Sequence, residues 1–155
     1  MMRQYEKAIT AGERAVVLEP NGALAHAALG STLCYAERIN EGIDKLKQAI
    51  RLDPFPDYWY FLHLGRCYRQ KGQYEEALIQ YKKALQRSPY ALLSNVSLAA
   101  IYVLLGRQEE ARDAAKKFLE LDPNFSIERV SATMPYKNQA DLKLFVDALR
   151  KAGLK

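Results

Sequence analysis

Residues 58–89 read YWYFLHLGRCYRQKGQYEEALIQYKKALQRSP, and this stretch decides the fold. Trp59, Phe61, Leu62, Leu64 and Tyr68 recur at helical spacing and stop at Lys71-Gly72. Apolar residues three and four apart share one face of a helix. Glycine ends a helix readily, because it enters the left-handed conformation without a Cβ clash. A second helical pattern, Tyr74, Ala77, Leu78, Tyr81, Ala84 and Leu85, then runs toward Pro89. Proline stops it, since it lacks an amide donor and disfavours a helical residue before it. The stretch is a pair of amphipathic helices joined by a tight turn.

The same pair recurs outward in both directions. Pro20, Pro54, Pro89 and Pro123 are separated by 34, 35 and 34 residues. That step also relates Ala8, Gly42, Ala77 and Ala111, and it relates Ala15, Ala49, Ala84 and Phe118. Gly72 and Gly106 occupy matching turns, where Glu37 stands in place of the glycine. A fixed period of this length is the signature of helix pairs stacked side by side, each burying an apolar face on its neighbours. Small residues such as Gly30, Gly65, Ala77 and Ala111 are expected where two helix axes approach closely.

These residues resemble the tetratricopeptide repeat (TPR) family. The match is carried by Leu64-Gly65, Tyr68, Gly72, Tyr74-Glu75-Glu76-Ala77, Tyr81, Ala84 and Pro89, then by Leu98, Ala99, Tyr102, Gly106, Glu109-Glu110-Ala111 and Asp122-Pro123. The resemblance implies an all-α fold, a right-handed TPR superhelix (α-solenoid) of antiparallel helix pairs with a C-terminal capping helix. It divides residues 1–124 into a half repeat, 3–20, and repeats 23–54, 58–89 and 92–123. The first full repeat departs from the pattern, with Leu33 for tyrosine and Gly42 for alanine. Opening in mid-repeat suggests a fragment of a longer solenoid.

Residues 125–155 read differently. Ser126 is placed to cap a short helix through about Thr133, and Pro135 breaks the chain. Asn138 opens the capping helix, whose stripe is Leu142, Phe145, Leu149 and Ala152 and whose stop is Gly153. The stripe complements Leu93, Val96, Ala100 and Leu104, so the expected role is a packed cap. The wording Asp-Pro-Asn-Phe-Ser, Met-Pro-Tyr-Lys-Asn and Leu-Arg-Lys-Ala-Gly-Leu resembles the C-terminal end of bacterial proteins that join an adenylate/guanylate cyclase domain to such repeats.

The family resemblance implies that the first helix of each pair lines a concave groove. The candidate partner-binding residues are Tyr35, Trp59, Leu62, His63, Arg66, Arg69, Gln70 and Ser97. In this reading Trp59 and Tyr35 anchor a peptide and the Arg66 and Arg69 guanidiniums accept its anions, residue types favoured at interface hot spots. The alternative has Trp59 packed on the adjacent repeat and the arginines merely solvated. An Arg66→Glu, Arg69→Glu variant is expected to weaken a partner with helicity intact. The clamp with which chaperone-tail-binding relatives hold a terminal carboxylate is mostly missing, because Ala27, Ser31 and Leu62 stand at its positions beside Arg66.

Composition narrows the function classes. Apolar residues are 49% and charged residues 26%, so the chain can bury a core. No apolar run nears the ~20 residues of a membrane span. Net charge is +5, but the excess sits in 57–90 and 125–155 rather than in a continuous stripe. That distribution argues against nucleic acid and against RNA-binding helical repeats. His63 and Cys67, four apart on one helix, lack the further ligands that zinc requires, so no metal and no cofactor is expected. The two cysteines, Cys34 and Cys67, are expected as buried free thiols suited to a reducing compartment. No phosphate loop, nucleophilic triad or paired acid marks an enzyme. The expected protein is a cytoplasmic protein-interaction scaffold. The rival class is a bacterial signalling module tied to a nucleotide cyclase, and a weak homodimer through residues 3–20 is the expected self-contact.

Overall fold

The computed structural model describes residues 2–155, with side chains from residue 4 onward. Its described residues form helices and no strand. The order is α1 (Met2–Leu18), α2 (Ala23–Tyr35), α3 (Ile39–Leu52), α4 (Tyr58–Gln70), α5 (Tyr74–Arg87), α6 (Leu92–Leu104), α7 (Gln108–Leu121), α8 (Ile127–Thr133) and α9 (Gln139–Ala152). Helices α2–α3, α4–α5 and α6–α7 pack as pairs, and each pair packs on the next. This is the all-α solenoid that the repeat spacing predicts.

Two turn features come directly from the sequence period. Gly72 and Gly106 adopt φ of 78° and 74°, and Glu37 takes the same left-handed turn at 68°. The side chain there costs energy that glycine avoids. The helix pairs close tightly where the small residues fall. A Cβ at Gly65 would lie 2.6 Å from the Tyr81 ring, and one at Gly30 would lie 2.9 Å from the Gly42 carbonyl.

The core runs the length of the solenoid. Leu46, Tyr81, Ile101 and Phe118 are buried within and between the helix pairs. On α1, Ile9 is buried against Leu29 and Leu33, with Tyr5 and Val16 packed beside it, while Ala8 stays exposed. The tail helices are those the capping residues predict. Ser126 Oγ accepts the Arg129 amide at the start of α8, and Asn138 Oδ1 accepts the Ala140 amide at the start of α9. Gly153 ends α9 with φ 102°. Phe145, Ala148, Leu149 and Ala152 of α9 are buried in one core cluster with Val96 and Ala100 of α6.

The expectation of free thiols fails. Cys34 and Cys67 are joined as a disulfide, with Cα atoms 5.6 Å apart, a separation that suits such a bond. The physical reason is the stacking itself. The residues lie 33 apart, close to one repeat, so they occupy facing positions on neighbouring helices α2 and α4. The bond ties the first full pair to the second through the core.

Candidate functional site

Helices α2, α4 and α6 line one side of the solenoid, and six of the sequence-predicted residues meet there. Tyr35, Leu62, His63, Arg66, Arg69 and Ser97 surround a cavity of about 40 Å³, together with Leu93, Met134, Tyr136 and Phe145. Trp59 and Gln70 lie outside its lining. Trp59 is half-buried and meets the His63 ring edge-on at 5.6 Å. Gln70 donates toward the Cys34 carbonyl at 3.3 Å and the Asp141 carboxylate at 3.4 Å, so it links α4 to both α2 and α9.

The two arginines are not solvated surface charges. Arg66 is 6% exposed and Arg69 is 3% exposed. Arg66 stacks on the Tyr35 ring at 3.4 Å, and one guanidinium nitrogen reaches the Ser31 carbonyl at 3.1 Å and hydroxyl at 3.2 Å. Arg69 lies 4.4 Å from the Phe145 ring centre and donates to the Tyr136 hydroxyl. Neither arginine forms an ion pair among the described residues. Burial opposes the Arg69 charge, yet the hydroxyl oxygens of Tyr136 and Tyr81 beside it raise its pKa. Cation–π and hydroxyl contacts hold both charges in place of carboxylates.

His63 is the neutral member of this cluster. Burial, and then the neighbouring Arg66 charge, push its pKa well below the usual 6.5. The unfolded chain therefore takes up a proton that the folded chain refuses. Stability from neutral His63 is fully present above about pH 6.5 and is lost as pH falls below it. Urea unfolding midpoints should drop between about pH 7 and about pH 5, and drop less in a His63→Gln variant. An identical pH profile for that variant would remove His63 as the cause.

What closes one end of the cavity is the chain's own tail. Between α8 and α9, residues 134–138 leave helical geometry and cross the C-terminal ends of α2 and α4. A tight turn at Pro135 places the Tyr136 amide 2.9 Å from the Met134 carbonyl, and the Tyr136 ring lines the cavity. Tyr136 is 2% exposed and packs edge-on against Tyr35 at 5.3 Å. The Lys137 amide reaches the Tyr35 carbonyl at 3.4 Å, and its ammonium lies 3.5 Å from the Glu37 carboxylate. Tyr5 on α1 donates to the Pro135 carbonyl. Sequence reasoning missed Met134, Tyr136 and Phe145 as lining residues. An apolar–proline–aromatic triplet outside any helical pattern was the available signal.

The N-terminal ends of the same helices remain open. Leu24 on α2 is 65% exposed, and Leu93 on α6 is 48% exposed. Leu93 also lines the cavity, so the open strip leads down to the arginines. No described helix is long and apolar enough to cross a membrane.

Residues 27–91 and 94–125 match family descriptions that both read Tetratricopeptide repeat. Among curated relatives, the TPR repeat-containing protein YpiA of Bacillus subtilis is 26% identical over 147 residues, covering 95% of this chain and 33% of that protein. The chain thus spans about a third of the length of that relative. Among solved structures, MamA superposes with a TM-score of 0.72 at 21% identity, covering 96% of this chain and 86% of that one. The first TPR of Spaghetti, solved bound to an HSP90 peptide, gives 0.67 at 18% identity over 85% of this chain and 90% of its own. At these identities the structural likeness establishes the fold.

Proposed function

Since this chain is built of tetratricopeptide repeats over residues 27–91 and 94–125, we propose that it is a protein-interaction scaffold whose concave face binds an extended partner segment. One observation carries the reading. A non-helical segment of the chain itself, residues 134–138, already lies across that face with an aromatic side chain inserted between helices. A surface that seats one such segment has the shape and hydrogen-bonding groups to seat another. Rigid stacked helices present it preformed, which limits the ordering cost to the partner. Its chemistry is recognition: Leu24, Trp59 and Leu93 offer apolar contact, and His63, Arg66 and Ser97 offer polar contact deeper in. Residues 1–124 serve as the solenoid and 125–155 as its cap.

The test uses positions that are exposed and therefore cheap to change. Peptides selected from a random display library on the whole chain should bind the Leu24→Glu, Leu93→Glu variant at least about ten-fold more weakly, a loss of ~1.4 kcal/mol. An Ile79→Glu variant is the control, because Ile79 is equally apolar and 51% exposed but lies on α5. Equal losses in both variants, or none in the first, would reject the concave face. The tail wording supports a second reading, a regulatory module of a bacterial nucleotide-cyclase signalling protein. A cyclase domain upstream in the full-length gene product decides it.

A further inference from the structure

The segment closing one end of the cavity also indicates what the groove selects. Its contacts are spaced as a short recognition element. The Pro135 carbonyl accepts from Tyr5, the Tyr136 hydroxyl accepts from Arg69, and the Lys137 ammonium faces Glu37. Between them the Lys137 amide donates to the Tyr35 carbonyl, a backbone contact that any residue except proline supplies. Tyr136 is the deepest part, with its ring on Tyr35 and its hydroxyl on a buried guanidinium. The receiving groups come from α1, α2, α4 and the turn between α2 and α3, whereas Met134–Lys137 belongs to the link between α8 and α9. Beside the link an open volume lined by Tyr5, Ala8, Thr32 and Tyr35 reaches Pro135 and Tyr136, so the segment is approachable from solvent.

We propose that Met134–Lys137 is a ligand held in cis, and that the groove's partner is an extended segment carrying a tyrosine followed directly by a basic residue. Such a partner takes the seat of Tyr136, bonds Arg69 through its own phenol and places its cation at Glu37. The tail and the partner compete, so the intact chain binds with an affinity reduced by the fraction of time that the seat is filled. The inference rests on the concave face being the binding surface, and it adds the partner's chemistry and the built-in competitor.

A fluorescent peptide with the sequence of residues 131–141 (SATMPYKNQAD) is titrated with the full chain and followed by anisotropy. The Tyr136→Ala chain is expected to bind it at least about ten-fold more tightly than the unaltered chain. A peptide carrying the same Tyr136→Ala change is expected not to bind. Circular dichroism checks that the variant chain keeps its helices. If it does not, Lys137→Glu serves instead, since it sets like charges against exposed Glu37 and loosens the link without touching α9. Binding no tighter in either variant than in the unaltered chain overturns the proposal. If library-selected peptides still lose binding in the Leu24→Glu, Leu93→Glu variant, only the proposal falls. If they do not, the concave-face reading falls with it.

Discussion

The Arg66→Glu, Arg69→Glu double variant is expected to lose at least about 5 kcal/mol of unfolding free energy, enough to unfold a domain of ordinary stability. From sequence the same change reads as a surface charge reversal that spares helicity. Burial reverses that expectation. Both side chains sit in the lining of one small cavity, one helical turn apart, with aromatic faces and hydroxyls as their neighbours. Two carboxylates there would face the electron-rich rings of Tyr35 and Phe145 and each other. Arg69→Glu alone leaves Arg66 as a rescuing partner, so the single variant should be milder. Urea denaturation followed by circular dichroism checks this. Wild-type stability in the double variant would mean that the tail does not close that end of the cavity in solution.

Breaking the link between Cys34 and Cys67 is the next largest change. A cross-link over 33 residues removes conformational freedom from the unfolded chain, and the loop-entropy estimate for that length is about 3–4 kcal/mol. Both cysteines are fully buried, so alanine replacements also leave small cavities, and that cost adds to the loss of the cross-link. The Cys34→Ala, Cys67→Ala chain is expected to unfold at clearly lower urea than the oxidised protein. Adding a reductant should move the unaltered chain toward the variant and leave the variant unmoved. Coincident curves for all three would show that the thiols are not paired.

The helix pairs were legible because their determinants are local and repeated. Glycine or a tolerated substitute is required at 37, 72 and 106, proline follows each second helix, and small residues fall where axes meet. The tail helices were legible through Ser126, Asn138 and Gly153, whose roles depend on residues at most a few positions away. The partly closed groove was not. The Arg69 contact with Tyr136 joins residues 67 apart and outside any period, so no spacing rule points to it. That contact helps bury Arg69, while Arg66 is buried against Tyr35 and Ser31 of α2. The disulfide stood between these cases, because a separation of nearly one repeat on first helices places Cys34 and Cys67 at adjacent positions.

The most direct test of the central claim maps where a partner segment touches the molecule. Amide chemical-shift changes are recorded on the whole chain as a library-selected peptide is added. If the concave face is the binding surface, the largest changes fall on α2, α4 and α6, centred on Trp59, His63 and Leu93, with the link at Met134–Lys137 shifting as it is displaced. Changes concentrated on the outer helices α3, α5 and α7, with the inner helices and the link unmoved, would contradict it.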